Sequence, residues 1–291
     1  MKKPFVSILI SAYGQLEYTK RCLNSITSTI SEKIDFEILI VDDCSVDETQ
    51  VFLKSLDPKI QTFFNQKREG YAKNNNFMAA EAEGEFLCFL NNDVFVEGNW
   101  LEPMINAFKK FQDVGIVGNV QRLADTSKYD HMGVVFSPQG NPRHFGQGFI
   151  YRPYKGEIRK WSAVTAACCL IRRDYFQKIG GFDEIFINGC EDVDLCLRIN
   201  EDGKSCLVVH DSVVEHVKSA SEGRKHFNQE NIAVLNQRWG DLIRRNQAVS
   251  DQYLHAWTYL HRGFVKPWSV NLSKFIHSVF ILLRLKKMRA S

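Results

Sequence analysis

The chain has 291 residues, 44% hydrophobic and 24% charged, with a formal net charge of +3. That composition excludes wholesale disorder, and so small a net charge gives no reason to expect a nucleic-acid partner. The length suits one large or two smaller domains.

Residues 1–12 carry a basic start and a short apolar run interrupted by Ser7 and Ser11, which reads as a first strand with no signal peptide. No run approaches the roughly 20 apolar residues of a bilayer span. Residues 5–11 then form a buried strand, 16–30 a helix, and 36–41 a second strand ending in Asp42-Asp43-Cys44-Ser45. Asp47-Glu48 opens a helix to about residue 56, 60–64 is a third strand, and 71–82 a helix. Phe86-Leu87-Cys88-Phe89-Leu90 is a fully apolar run leading to Asn91-Asn92-Asp93, the pattern of a central strand covered on both faces. A helix over 100–111 closes this half.

From Val114 the elements shorten. Residues 114–117, 133–136 and 145–150 read as strands, 161–171 as a longer one, and 174–179 as a helix. A helix over 191–200 and strands 206–209 and 212–214 lead to His216. Alternating strands and helices predict an α/β fold, a doubly wound, mostly parallel sheet with helices on both faces. The turn after the first strand, Ser11-Ala12-Tyr13-Gly14-Gln15, has no G-x-G-x-x-G, which argues against a dinucleotide cofactor. The eight cysteines sit mostly in apolar runs, as reduced buried thiols do, and Cys190, Cys196, Cys206 and His210 lack the paired spacing of a zinc site.

Three acidic clusters fall at strand ends or a helix start: Asp42-Asp43, Asp93, and Glu191-Asp192-Val193-Asp194; His216 follows a strand. Each has a plain structural reading: Asp43 as a turn cap, Asp93 as a loop residue, Asn188 with Glu191 as a capping box, His216 as a hydrogen-bonded imidazole. Together they describe a carboxylate and an imidazole for a hard divalent ion carrying a diphosphate, with a further acid as general base.

With these motifs in this order, the chain resembles the family-2 glycosyltransferases of GT-A fold, over roughly residues 4–240. Phe5-Val6-Ser7-Ile8-Leu9-Ile10-Ser11-Ala12-Tyr13 resembles the strand that meets the nucleotide base, and Val41-Asp42-Asp43-Cys44-Ser45-Val46-Asp47 the V-D-D-x-S-x-D motif. Gly70-Tyr71-Ala72-Lys73-Asn74-Asn75-Asn76 is similar to the segment flanking ribose and diphosphate, and Leu90-Asn91-Asn92-Asp93 stands where D-x-D is expected. Gly181-Phe182-Asp183-Glu184 and Glu191-Asp192-Val193-Asp194-Leu195-Cys196-Leu197-Arg198 match the later motifs.

The resemblance implies an inverting transfer of a sugar from a nucleoside-diphosphate sugar to a hydroxyl of a glycan or lipid-linked acceptor, of bacterial surface-polysaccharide type. It implies Asp192 and Glu191 as catalytic acids, and Ser11, Ala12, Tyr13, Asp42, Asp43, Asn75, Asn76, Asn91 and Asn92 at the nucleotide. Asp93 and His216 would hold Mn²⁺ or Mg²⁺, and Trp161 and Thr165 would face the acceptor. Asn91 departs from the motif, because an amide replaces the first carboxylate. The expected organisation is a nucleotide-binding half over 1–118, an acceptor half over 119–240, and a basic helical tail over 241–291. Residues 270–291 read as an amphipathic helix for an anionic membrane surface, against the reading of a helix packed on protein; a cytoplasmic location at the inner membrane face follows. The alternatives are an inactive carbohydrate-binding relative, left open by Asn91, and a sugar-1-phosphate nucleotidylyltransferase, which needs a glycine-rich basic loop that Tyr13-Gly14-Gln15 does not supply.

Overall fold

The structure, a computed structural model, describes residues 5–217, 228–265 and 267–285. Lys286, Lys287 and Arg289, part of the predicted membrane tail, lie outside the described residues. The first half alternates β1 (Phe5–Ala12), α1 (Leu16–Thr29), β2 (Asp35–Asp42), α2 (Thr49–Lys54), β3 (Ile60–Phe64), α3 (Tyr71–Glu81), β4 (Phe86–Asn91), β5 (Val94–Val96) and α4 (Glu102–Lys110). Then come β6 (Val114–Leu123), β7 (Tyr129–His131), β8 (Val134–Phe136), β9 (Pro142–His144), β10 (Ile158–Trp161), β11 (Cys168–Arg172), α5 (Arg173–Lys178), α6 (Glu191–Glu201) and β12 (Ser205–His216). The C-terminal helices are α7 (Asn228–Leu242), a π-helical segment (Ile243–Gln247), α8 (Ala248–Ser250), α9 (Gln252–Val265), a 3₁₀ turn (Pro267–Ser269) and α10 (Leu272–Leu282).

The main sheet has the order β10-β12-β6-β11-β4-β1-β2-β3, with β5 joined to β12 and β7 to β6. β3, β2, β1 and β4 run in parallel, as do β6 and β12, while β11 is antiparallel between β4 and β6. Side chains alternate across each strand. Ile8, Ile10, Cys88 and Leu90 enter a layer with α1 and α4; Leu9, Leu87 and Phe89 enter the opposite layer with α3, α5 and α6. Two covered faces explain why these strands read as unbroken apolar runs.

Four predicted strands differ in the structure. Residues 161–171 do not form one strand: β10 ends at Trp161, and 162–167 loops out before β11. Residues 145–150 turn instead of extending, because Gly146 and Gly148 both take positive φ, near 83° and 82°, and fold Phe145 and Phe149 into the same core. The two strands predicted over 206–214 are one, β12, interrupted by a register shift between Val209 and Val213. The capping box also fails: Cys190, at φ 71°, precedes α6, and Asn188 Oδ1 instead accepts from the Tyr71 N–H at 3.1 Å.

Asp251 ties the C-terminal helices to the β8–β9 pair, a separate two-stranded sheet, and to the loop after β10. Its Oδ2 accepts from Phe136 N–H at 2.8 Å and from the Ser162 hydroxyl at 2.7 Å. Burial outweighs those bonds and raises this carboxyl from 3.8 to about 6. A raised folded pKa means the folded chain holds the proton more tightly. The contribution is therefore full below about pH 4 and lost as pH rises through about 6. Asp251→Asn keeps an acceptor oxygen, so it is expected to raise unfolding free energy at about pH 8 by on the order of 2–3 kcal/mol and to change it little near pH 4. Urea denaturation of both proteins at the two pH values checks this. The difference between them isolates Asp251 from His131 and His210, whose imidazoles burial shifts down, His210 to about 4.

Candidate active site

In an open α/β sheet, ligands bind outside the carboxyl ends of the strands, where the strand order reverses. Here that point lies between β1 and β4, whose last paired residues are Ser11 and Asn91. β11 runs the other way, so the loop leading into it arrives at the same edge; Asn91 N–H donates to Ala167 O at 2.9 Å. A cleft opens there, lined by Ser11, Tyr13, Asp43, Asn91, Asn92, Asp93, Thr165, Glu191 and Asp192 among others. Residues predicted from five separate stretches of sequence thus share one cavity.

Asp192 stands in the first turn of α6. Its Oδ1 accepts from Val193 N–H at 2.8 Å and its Oδ2 from Ala166 N–H at 3.1 Å. Each oxygen keeps a second lone pair, and the two amides fix the rotamer. The Ala166 carbonyl in turn accepts from the Tyr71 hydroxyl at 2.7 Å. One residue of the 162–167 loop, Ala166, therefore links α3 to the carboxylate on α6. Burial pushes the Tyr71 phenol well above its ordinary range, so it stays a donor.

The β5–β12 ladder pairs Val94 with His216, which sets Asp93 beside that histidine. His216 Nε2 lies 3.3 Å from Asp93 Oδ1, and both side chains are buried. On the other side, His216 Nδ1 is 3.0 Å from Gln121 Oε1. That amide oxygen accepts only, so Nδ1 carries the proton, and the neutral tautomer with that proton turns an Nε2 lone pair toward the carboxylate. Nε2 makes no hydrogen bond of its own. Two lone-pair donors facing each other in a buried site suit a shared cation. Cis ligands of an octahedral ion at about 2.1 Å sit about 3 Å apart, so the pair fits Mn²⁺ or Mg²⁺. Among the described residues no cluster of three or more His, Cys, Asp or Glu forms an all-protein cage; a diphosphate and water would complete the shell.

Other predicted residues lie off the cleft. Asp42 is fully buried, its Oδ2 accepting from Ser45 N–H and the Gln50 amide. Ala12 contributes a carbonyl to Asp43 N–H. Asn75 donates back to Tyr71 O, and Asn76 exchanges hydrogen bonds with the Phe182 backbone, pressed against Gly181. Trp161 is 4% exposed and packs on Phe145, Tyr154 and Gly133. Asp43 does line the cleft, but it accepts from Asn65, Glu69 N–H and Gly70 N–H. Asn92 lines it too, its amide donating to Thr19 Oγ1 at 3.0 Å. Sequence reasoning missed Asn74 and Arg68. Asn74 donates to Ser11 Oγ at 3.0 Å, and the cleft-lining Arg68 stacks 3.7 Å over the Tyr13 ring. A third asparagine in a run of three, or a lone arginine in a loop, carries no distinguishing pattern.

Asp194 and Arg198, from the same helical motif, are structural. Asp194 is fully buried and accepts from Arg198 Nε, Arg238 and Trp239 Nε1 at 2.8–2.9 Å. Arg198 also donates to the carbonyls of Ile179 and Gly181. Asp194→Ala strands these cations, and is expected to lower unfolding free energy by about 3–5 kcal/mol. Urea denaturation reads this directly; a loss under about 1 kcal/mol would contradict the clamp.

Comparison with known proteins identifies the fold and the family. The chain is 31% identical over 227 residues to the O-antigen biosynthesis protein RfbC of Myxococcus xanthus, which covers 75% of this chain but only 18% of that relative's length. GalNAc-T7, solved with UDP, GalNAc and Mn²⁺, superposes with a TM-score of 0.68 at 19% identity, over 87% of this chain and 51% of that one. The mannosyltransferase PcManGT of Pyrobaculum calidifontis, in complex with GDP-Man and Mn²⁺, gives 0.59 at 17% identity, over 98% and 82%. These likenesses establish the GT-A fold expected from the motifs. The model of glycosyl transferase family 2 matches residues 7–180, more than half of the chain, and the protein belongs to that family.

Proposed function

We propose that the protein is an inverting glycosyltransferase. It would move a sugar from a nucleoside-diphosphate sugar to a hydroxyl of a glycan or lipid-linked saccharide, at the inner face of the cell membrane, in surface-polysaccharide assembly. The observation that carries this reading is the shared cleft: Asp192, held by two backbone amides, opens on the same cavity as Asn91, Asn92 and Asp93. The structural neighbours GalNAc-T7, solved with UDP and GalNAc, and PcManGT, solved with GDP-Man, support the donor class.

In this reading residues 1–118 bind the nucleotide, with Ser11, Tyr13, Asp43, Asn91 and Asn92 along the cleft. Residues 119–240 bring the acceptor past Thr165, and 241–291 form a helical tail. Asp192 Oδ takes the proton from the acceptor hydroxyl as its oxygen bonds to the anomeric carbon and the bond to the diphosphate breaks. Glu191, in the same helical turn, adds negative charge beside it. Asp93 and His216 hold the divalent ion, and Gln121 fixes the imidazole tautomer that exposes Nε2. The ion, when bound, supplies charge to offset the departing diphosphate. Asn91 supplies an amide where a second carboxylate is expected, which weakens the ion's hold.

Asp192→Asn keeps the amide-accepting geometry at one oxygen and removes the base. It is expected to lower turnover about 10²–10⁴-fold with donor affinity unchanged, measured by steady-state kinetics beside donor titration. Near-wild-type turnover would remove Asp192 from this role. Chelation should abolish activity, and Mn²⁺ or Mg²⁺ should restore it. Gln121→Leu is expected to weaken Mn²⁺ binding about 10–100-fold, read by electron paramagnetic resonance titration without donor. Gln121→Glu, which keeps the acceptor, should retain binding.

A further inference from the structure

The α9–α10 hairpin carries apolar side chains on the side turned away from the protein. Trp268 is 82% exposed, Phe264 80% and Leu272 73%. Along α10 the exposed residues Leu272, Ile276, Phe280 and Leu283 recur at i, i+4, i+8 and i+11, a single stripe. The other side of the helix is already used. Ser278 and Ile281 are buried, and the Phe275 ring lies 6.2 Å from Phe264 and close against Gly263 of α9. A helix apolar on two opposite faces is satisfied only when both are covered.

Charge identifies what covers the second face. Residues 252–291 hold seven Lys and Arg and no Asp or Glu, whereas residues 1–251 hold thirty Lys and Arg against 34 Asp and Glu. The chain's net positive charge is therefore confined to the segment that bears the apolar stripe. A second copy docked on this face would bring two such cationic segments together. An anionic surface attracts them. α10, at 11 residues, is about 16 Å long, and no helix among the described residues is long and apolar enough to cross a membrane. An amphipathic hairpin with basic flanks and a tryptophan at its turn matches a segment lying in the headgroup plane.

We infer that the outer face of the α9–α10 hairpin, with Trp268, Leu272, Ile276, Phe280 and Leu283 as its apolar contacts, docks on an anionic lipid bilayer. This deepens the membrane-face part of the proposed function, and it stands apart from the cleft chemistry because binding needs neither donor nor acceptor.

Co-sedimentation of the full chain with phosphatidylglycerol-containing vesicles and with pure phosphatidylcholine vesicles tests it. The expected result is binding to the anionic vesicles about tenfold or more tighter than to the neutral ones, reversed by high salt. The double variant Ile276→Glu/Phe280→Glu should abolish binding with an unchanged far-ultraviolet circular dichroism spectrum. Should that variant misfold, Lys286→Gln/Lys287→Gln/Arg289→Gln changes charge alone and should also weaken binding to the anionic vesicles. Equal binding to both vesicle types, or no effect of either variant, overturns the inference. A dimer seen by light scattering that dissociates in Ile276→Glu/Phe280→Glu also overturns it, in favour of a second copy on this face.

Discussion

The site depends on one constraint of strand pairing. β4 is bonded on one side to parallel β1 and on the other to antiparallel β11. Backbone ladders on both sides leave β4 no freedom to slide, since a one-residue slip would turn its buried face outward. They also decide which ends meet: the carboxyl ends of β1 and β4 share an edge with the amino end of β11. Ser11 and Tyr13, the Asn91-Asn92-Asp93 triplet and the 162–167 loop meet at the cleft as consequences of that arrangement. Asp192 joins them by a single hydrogen bond from Ala166. A reversed β11 would carry that loop to the far end of the sheet.

A second layer of order comes from buried polar groups that hold one another. The chain His216–Gln121 is set by two ladders, because β12 places His216 beside β5 and β6 places Gln121 within reach of its Nδ1. Along the cleft floor, Asp43, Asn65, Asn74 and Ser11 form a continuous hydrogen-bonded run. Such groups are costly to bury unless satisfied, and once satisfied they hold their neighbours in one geometry.

The parallel half was legible from sequence because its signals are local. β3 coincides with its predicted span of 60–64, and each apolar run that ends in polar residues is a strand reaching the site edge. The acidic motifs likewise pointed to Asp93 and Asp192, which the fold brings to one cavity. What sequence could not show is where distant partners intervene. The small apolar run of 161–171 has strand character throughout. It breaks because Val164 N–H donates to Cys196 Sγ and Ala166 N–H to Asp192, both supplied by a helix about thirty residues later. In Asn74-Asn75-Asn76 three identical amides take three directions set by helical phase: toward Ser11, back to Tyr71, and out to Phe182. No reading of composition separates them. Asp42 and Asp43 illustrate the same limit, since adjacent positions on a strand end face opposite sides, and only Asp43 reaches the cleft.

The electrostatics of the cleft explain how Asn91 is compatible with a working site. Among the described residues lining the cavity, Asp43, Asp93, Glu191 and Asp192 are acidic and Arg68 is the one cation. A diphosphate entering such a site meets like charge, and interactions between charges at a partly buried site are several times stronger than in water. Asp43 is offset by three hydrogen-bond donors, and in the proposed function an ion at Asp93 and His216 would offset charge on the rest of the cleft. A second carboxylate at position 91 would hold that ion more tightly while adding repulsion toward the phosphates. An amide there shifts the compromise: weaker retention of the free ion, and a greater share of its binding made together with the donor. In the proposed function, ion and donor binding to this cleft would then be coupled by charge, with Asn91 setting the strength of the coupling.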